Sequence, residues 1–197
     1  MFYLYSFHYC LYLGLKQCQK LVLNSTYSSI LSKYRKDRKK DLQKAVTADL
    51  IEKGANSAYI HNQVYDTNSY ERLQLLGCAL NNLKVIPELR TAYITLTQDE
   101  LNKYNFKKGD TEGVVNYGLS LENIVFAAIF IEDKQDRIIK ISLRSKGNFS
   151  VNDFSRAHFN GGGHINAAGG RSDVSLNDTI NKFIAILPDY SNALNDE

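Results

Sequence analysis

Residues 160–170 read NGGGHINAAGG, and this stretch decides how the whole sequence is interpreted. Three consecutive glycines cost backbone entropy, which a chain accepts where the backbone takes positive φ or where another group approaches closely. The residues that follow, HINAAG, predict a short helix of small side chains that packs closely on a sheet. A glycine turn that leads into a helix N-terminus presents free N–H groups and partial positive charge, which suits a phosphate. The alternative is a tight structural turn with a capping histidine, and the glycines alone do not decide between them.

The segment before the glycines predicts a strand with one apolar and one polar face. Residues 137–147 read RIIKISLRSKG, in which Ile139, Ile141 and Leu143 alternate with polar residues. The polar face carries Arg144, and side chains of one face share a period of two. A guanidinium binds phosphate through two parallel hydrogen bonds, so Arg144 is a candidate second clamp beside the glycines.

Outward from this region, the pattern predicts an α/β fold. The run NIVFAAIFIED (123–133) is typical of a buried central strand, and LKVIPELRTAYITLT (83–97) of two strands around Pro87. Capping boxes predict helices that begin after Thr97, Ser150 and Ser175. We therefore expect a mixed sheet of about five strands with flanking helices, preceded by a helical linker.

Three further helical features are expected. Residues 47–56, TADLIEKGAN, predict a helix that Gly54 closes as a C-cap. Four leucines at helical spacing predict one apolar stripe over 69–82. They are Leu73, Leu76, Leu80 and Leu83. The last helix is expected to end at Pro188, with a frayed tail after it.

Composition bounds the class of protein. The 197 residues are 44% hydrophobic and 23% charged, with a net charge of +3, which permits an anionic partner but does not demand one. Cys10, Cys18 and Cys78 form no CxxC pair, which argues against a disulfide framework and structural zinc and favours a cytoplasmic protein. The apolar start is too short to span a bilayer and lacks a basic residue before Lys16, so no membrane association is expected.

The N-terminal segment differs in texture from the rest. Residues 33–44 read KYRKDRKKDLQK, a dense basic run. A nucleic-acid-binding arm is one interpretation, and a solvated, partly disordered leader is the favoured one. We therefore leave residues 1–45 unassigned, as a leader that is either non-native or disordered.

Residues 141–170, ISLRSKGNFSVNDFSRAHFNGGGHINAAGG, resemble the signature of the DHH-associated domain, found at the C-terminal end of DHH-family phosphoesterases. Residues 109–130 resemble the matching stretch of the NrnA-like branch, the oligoribonuclease and pAp phosphatase type. The resemblance implies a helical linker and the end of a DHH domain over 46–83, and a substrate-binding domain over 84–190.

The resemblance also implies roles for particular residues. In this family an N-terminal domain binds two divalent ions, usually manganese, and the C-terminal domain holds the end of a short RNA or nucleotide phosphate. Carried onto this sequence, Arg144 and Ser145 would contact substrate phosphate or base. Gly161, Gly162 and Gly163 would supply backbone donors, and His164 would reach into the cleft. The family resemblance leaves the oligomeric state open.

The match fails in one respect. No Asp-His-His occurs, and none of His8, His61, His158 and His164 lies in a carboxylate-rich motif. We therefore expect the metal-binding DHH domain to be missing, no catalytic residue and no metal site in this chain, and no hydrolysis by it alone. A truncated or shifted reading frame upstream is our hypothesis for residues 1–44.

Three functions stay open. The first is a hydrolase fragment that is active only when joined to a metal domain. The second is a non-catalytic nucleic-acid-binding module. The third, disfavoured by the sequence His164-Ile-Asn-Ala, is a relative of the alanyl-tRNA synthetase C-terminal domain. A polyphosphate- or pyrophosphate-cleaving relative is a further alternative, although such proteins usually carry a different substrate domain.

Overall fold

The computed structural model describes residues 48–196. The leader and basic run predicted for residues 1–45 therefore lie outside the described residues. The chain divides into two compact units, residues 1–68 and 69–197, and each is described by itself.

The described part of the first unit is helical. Residues 48–52 form a helix that ends at Gly54, whose φ is +87° and whose N–H donates to the Ile51 carbonyl at 2.9 Å. A second helix, α1 (Ser57–Tyr65), begins where the Asn56 side chain accepts a hydrogen bond from the Tyr59 N–H. The predicted Gly54 C-cap and the helical region before the sheet are both confirmed.

The second unit contains a six-stranded mixed sheet. Its strands are β1 (Lys84–Ile86), β2 (Thr91–Leu96), β3 (Phe126–Asp133), β4 (Ile138–Ser145), β5 (Gly162–His164) and β6 (Ala167–Ser172). The order across the sheet is β1-β2-β3-β4-β6-β5, and only the β2–β3 pair is parallel. The predicted α/β class with a mixed sheet is confirmed.

Six helices accompany the sheet in this unit. They are α2 (Tyr70–Asn81), α3 (Gln98–Lys103), α4 (Val115–Leu119), α5 (Val151–His158), α6 (Leu176–Ile186) and α7 (Ser191–Asn195), with 3₁₀ turns at Pro87–Leu89 and Leu187–Tyr190. Thr97, Ser150 and Ser175 each accept a hydrogen bond from the backbone N–H three residues later. All three helix starts predicted from capping boxes are therefore confirmed.

Two hydrophobic cores lie on opposite faces of β3. Phe126, Ala128 and Phe130 belong to the first core, which also takes side chains from α5, α6 and α7. The intervening Ala127 and Ile129 belong to the second core, which takes side chains from α2, α3 and α4. The run that predicted a buried central strand is thus buried on both faces, as expected.

Strand β4 has one buried face and one open one. The predicted inward residues Ile139, Ile141 and Leu143 all lie in the first core. The opposite faces of β4 and β6 form what we call the open strip. Helix α4 of the second core contacts β4, and the residues of the strip are half-buried or exposed. These residues are paired across the two strands: Lys140 with Arg171, Ser142 with Gly169, and Arg144 with Ala167.

Two expectations about packing were wrong. Of the predicted stripe on α2, Leu76 and Leu83 pack against the second core, whereas Leu73 and Leu80 are exposed. The helix instead buries Leu75 and Ala79, because the small Ala79 lets that side of the helix approach the sheet. The tail after Pro188 is not frayed. It forms α7, which fully buried Leu194 anchors in the first core.

The Glu100 carboxylate accepts several hydrogen bonds that link the end of α2 to the start of α3. The Glu100 side chain accepts hydrogen bonds from the Asn82 amide at 2.8 Å and from the Thr97 N–H at 2.8 Å and hydroxyl at 2.9 Å. Burial alone raises the pKa of Glu100, but these hydrogen bonds outweigh it and hold the pKa below its ordinary value.

This network predicts a pH dependence of stability. The pKa of Glu100 is lower in the folded protein than its ordinary value of 4.5. The ionised carboxylate therefore stabilises the fold fully above pH 4.5, and this stabilisation is lost as pH falls through the folded-state pKa. We expect Glu100→Gln to lower the free energy of unfolding at pH 7 by about 1–2 kcal/mol and to flatten the loss of stability below pH 4.5. Urea unfolding at several pH values measures both effects.

The neighbouring Asp99 provides the matched control. Its carboxylate is 85% exposed, and its one ion pair within residues 48–196 is with Lys134, at 3.1 Å. Asp99→Asn should therefore change stability by less than about 0.5 kcal/mol. Equal effects of the two substitutions would contradict the role given to Glu100.

Candidate phosphate-binding site

The glycine stretch forms a β-hairpin and not the predicted glycine turn and helix. Gly162–His164 make β5, residues 165–166 make the turn, and Ala167–Ser172 make β6. The helix expected over HINAAG was therefore wrong, and no helix N-terminus follows the glycines. The small residues of this segment instead form two adjacent strands, with β5 at the edge of the sheet.

Close approach, not positive φ, explains the first and third glycines. A Cβ placed on Gly161 would lie 2.0 Å from the Gly169 carbonyl oxygen and 2.3 Å from the Ser155 hydroxyl oxygen. One on Gly163 would lie 2.5 Å from the Ala167 carbonyl oxygen. Neither glycine has φ in the left-handed region. The glycines are therefore required because the hairpin lies directly against α5 and against its own partner strand.

Hydrogen bonds join the hairpin to α5. The Ser155 hydroxyl donates to the Gly169 carbonyl at 2.7 Å, and the Val151 N–H donates to the Ile165 carbonyl at 2.8 Å. The Gly163 N–H donates to the Asn152 side chain at 2.9 Å, and the Gly161 N–H to the Ser155 carbonyl at 3.4 Å. Two of the three glycine N–H groups that were expected to meet a phosphate therefore already have protein acceptors.

The sheet brings Arg144 and His164 to the two sides of one alanine. In the strand register, Ala167 of β6 is the partner of Arg144 in β4 and of His164 in β5. Neighbouring strands are about 4.8 Å apart, so the two backbones are separated by about 10 Å. Both side chains are long enough to reach one anion held over Ala167.

The two side chains differ in how firmly they are held. The Arg144 guanidinium is half-buried and donates to the Leu143 carbonyl at 2.9 Å; its other donors have no partner in the part of the chain that the structure describes. The imidazole of His164 is exposed and makes no side-chain hydrogen bond to the described residues. In the next row of the register, Ser142 and Gly169 form an open floor with little side-chain volume. An anion can therefore approach the site from the open strip.

Ser145 is placed differently from its predicted role. Its side chain is buried, and its hydroxyl donates to the Phe149 carbonyl at 2.6 Å while it accepts from the Asn166 amide at 3.0 Å. The Asn166 amide also donates to the Gly147 carbonyl at 3.0 Å. In this arrangement Ser145 fixes the loop that follows Arg144 and links it to the turn of the hairpin, so its hydroxyl has no free proton for a ligand.

We expect Ser145→Ala to lower the free energy of unfolding by about 1–2 kcal/mol, because the buried Phe149 carbonyl would lose its donor. Ser142→Ala, on the same strand but with no side-chain hydrogen bond to the described residues, should change it by less than about 0.5 kcal/mol. Thermal unfolding of the two variants makes the comparison. A Ser145→Ala protein of unchanged stability would contradict the structural role.

The sequence interpretation missed two asparagines. Asn152 accepts from the Gly163 N–H, and Asn166 occupies the hairpin turn, where its amide reaches Ser145 and Gly147. The preference of asparagine for turns was a usable signal for Asn166 once the glycines are read as a hairpin. Nothing in the sequence indicated that Asn152, inside a helix, would bind a glycine N–H.

His158 is a packed histidine. Its Nε2 lies 2.7 Å from the Tyr190 hydroxyl, and its ring stacks edge-on against Phe154. Burial, with the nearby Lys182 ammonium, lowers the pKa of His158 below its ordinary value. It belongs to the first core's border and not to the site.

Within residues 48–196, no group of three or more His, Cys, Asp or Glu side chains is arranged to hold a metal ion. The described residues thus do not fit the pair of divalent ions that the family resemblance implies. No helix in this part of the chain is long and apolar enough to cross a membrane.

Comparison with known proteins supports the family resemblance. The DHHA1 domain family matches residues 90–190. A solved structure of an exopolyphosphatase-related protein from Bacteroides fragilis is 39% identical, with a TM-score of 0.73, over 77% of this chain and 44% of that one. A search of curated protein sequences found no match.

A second solved structure shares only the fold. It is the pGpG-specific phosphodiesterase PggH from Vibrio cholerae, 14% identical with a TM-score of 0.50, over 77% of this chain and 51% of that one. The chain therefore spans about half or less of the length of these two solved proteins.

Proposed function

We propose, from the premise that this chain belongs to the DHH-associated (DHHA1) domain family, that it binds the phosphate end of a short oligoribonucleotide or of a nucleoside bisphosphate such as pAp. In this proposal the chain is the substrate-binding part of a DHH-family phosphoesterase. The observation that carries it is the placement of Arg144 and His164 on either side of Ala167, beside the open strip.

The register row of Arg144, Ala167 and His164 has a charge and a geometry that suit a phosphate. Arg144 offers several N–H donors in a rigid plane, which matches the oxygens of a phosphate, and His164 adds a donor from the neighbouring side. The glycine and alanine residues of the strands allow a ligand to come close to the sheet. Ser145 and the glycine N–H groups do not contact the ligand in this proposal. Their hydrogen bonds to other protein groups fix the positions of the strands that carry Arg144 and His164.

The apolar neighbours of the row favour a nucleotide over a plain phosphate chain. Ile165, next to His164, is 54% exposed at the tip of the hairpin. Tyr117 is 40% exposed on α4, a helix that contacts β4, and we propose that its ring reaches the same ligand. Exposed apolar and aromatic side chains beside a phosphate site give a base something to stack on or pack against. The Bacteroides fragilis relative is named as exopolyphosphatase-related. Inorganic polyphosphate has no base, so it would not make these contacts.

The proposal gives the described residues a binding role and no catalytic one. Hydrolysis would depend on two divalent ions, for which we propose manganese, held by a DHH domain of the kind the family has. What the residues of this chain supply is orientation: they hold one end of the substrate while the bond to be broken lies elsewhere.

A binding titration tests the proposal. We expect the chain to bind a diribonucleotide monophosphate with a dissociation constant of about 0.1 mM at physiological salt, and affinity should fall as salt rises. Inorganic triphosphate is the comparison ligand, and calorimetry at two salt concentrations is the measurement. Tighter binding of triphosphate than of the dinucleotide would overturn the nucleotide preference, and no binding of either would overturn the proposed function.

A further inference from the structure

A second arginine lies at the glycine hairpin, on the α5 side. Arg156 is exposed, and its Nε donates to the Asn152 side-chain oxygen at 3.1 Å. The same oxygen accepts the Gly163 N–H at 2.9 Å, so one amide orients the arginine and holds the edge strand together. The guanidinium is thereby positioned relative to β5, not merely tethered to its own helix.

The guanidinium lies beside Gly162. A Cβ added to Gly162 would be 3.4 Å from the Arg156 Nε and 3.6 Å from its central carbon. These are ordinary van der Waals distances, so the guanidinium lies against the strand at Gly162. Both terminal nitrogens of Arg156 have no hydrogen-bonding or ionic partner among the described residues. A planar fork with two free nitrogens is the group that binds a phosphate through two parallel hydrogen bonds.

We propose that Arg156 forms a second phosphate subsite, which takes a terminal phosphate monoester of the nucleotide bound at Arg144 and His164. This inference rests on the proposed function and adds to it a class of preferred substrate: nucleotides that carry a terminal phosphate. Asn152 is its positioning residue.

The spacing along β5 supports a ligand with two phosphates. Gly162 and His164 are two residues apart in an extended strand, which corresponds to about 7 Å. The two phosphates of a nucleoside bisphosphate, or the terminal and first internal phosphates of an oligonucleotide, are separated by one ribose and span a comparable distance. One phosphate can thus lie at His164 while the next lies at Arg156.

The test compares three ligands: the dinucleotide ApA, its 5′-phosphorylated form pApA and its 3′-phosphorylated form ApAp. We expect at least one phosphorylated form to bind the wild-type chain about fivefold more tightly than ApA, as measured by calorimetry at low salt. The end that gives the gain identifies the orientation of the nucleotide. Arg156→Gln should abolish this gain and leave the affinity for ApA unchanged.

Salt dependence gives a second readout that a purely structural role would not change. For the phosphorylated ligand, Arg156→Gln should reduce the slope of log affinity against log salt by about 0.7, the value of one phosphate contact on a single strand. Arg156→Lys should keep part of the gain, since it retains the charge without the fork. Asn152→Ala should reduce the gain in affinity for the phosphorylated ligand even though Arg156 is still present. Thermal unfolding of this variant shows whether it is still folded.

Arg137 supplies the matched control. It is exposed at the opposite end of β4 from Arg144, so Arg137→Gln makes the same charge change and should leave the gain intact. The inference is overturned if the wild-type chain binds all three ligands equally, or if Arg156→Gln keeps the gain. Failure of all three ligands to bind the wild-type chain overturns the proposed function as well, so the two failures are distinguishable.

Discussion

Gly161→Ala is expected to destabilise the chain more than any other glycine-to-alanine substitution in the hairpin. The added Cβ would lie 2.0 Å from the Gly169 carbonyl oxygen, 2.3 Å from the Ser155 hydroxyl and 2.6 Å from the Gly170 Cα. Two of these three groups are backbone, so relief requires the hairpin to move away from α5. We expect a loss of about 3 kcal/mol in the free energy of unfolding, and a fall in Tm of about 10 °C.

Gly169→Ala is the control for this substitution. The nearest atom to its added Cβ would be the Ile141 carbonyl oxygen at 3.6 Å, which is an ordinary contact. We expect a change of less than about 1 kcal/mol. If Gly161→Ala were as stable as Gly169→Ala, the hairpin would not lie against α5 as described, and the glycines would need another explanation.

Arg144→Ala should give the largest loss of affinity. A guanidinium that binds a phosphate through charge-assisted hydrogen bonds contributes about 2 kcal/mol, so affinity for a short oligoribonucleotide should fall by about thirtyfold. The free energy of unfolding should change little, because the only side-chain hydrogen bond of Arg144 within the described residues is to its own strand. Calorimetry and thermal unfolding of the same protein sample separate the two effects.

Arg171→Ala controls for loss of a positive charge on the open strip. Arg171 is exposed and lies at the other end of the strip, where its partner in the strand register is Lys140. Its removal should weaken binding by less than about threefold through long-range attraction alone. Arg144→Lys should fall between wild type and Arg144→Ala, because lysine keeps the charge and loses the planar fork. Equal losses of affinity for Arg171→Ala and Arg144→Ala would mean that binding depends on the overall positive charge of the strip and not on a specific contact with Arg144.

The sequence was sufficient for the elements whose signal is local or strongly periodic. Alternation in β4 identified its buried face, the unbroken apolar run identified β3, and side-chain caps identified three helix starts. Each of these patterns depends on interactions within a few residues or on a face that is uniformly apolar, so it does not require knowledge of the tertiary structure.

The prediction failed where tertiary contacts decide. HINAAG has a composition compatible with a helix, but pairing with β4 and packing on α5 make it a hairpin. Glycine in a strand weakens it locally, and only the close approach to Ser155 and Gly169 explains its presence here. For the same reason, the order and partners of the site residues, including the second arginine at Gly162, were not accessible from the sequence.

The leucine stripe of α2 failed for a related reason. Counting leucines favoured Leu73 and Leu80, whereas the buried face contains Leu75 and the small Ala79. Side-chain size was a poor guide because a close helix–sheet contact selects small residues. Likewise, Leu194 in a polar tail has no local periodicity that reveals its place in the core.

An NMR titration tests most directly the claim that this chain holds a nucleotide phosphate over Ala167. ¹⁵N-labelled chain would be titrated with a short oligoribonucleotide in the absence of divalent metal, at two salt concentrations. We predict that the largest amide shift changes occur at Arg144, His164 and Ala167 and in the neighbouring residues of the hairpin, and that they shrink at high salt. The largest changes in the basic run 33–44, or no changes at saturating ligand, would contradict the account.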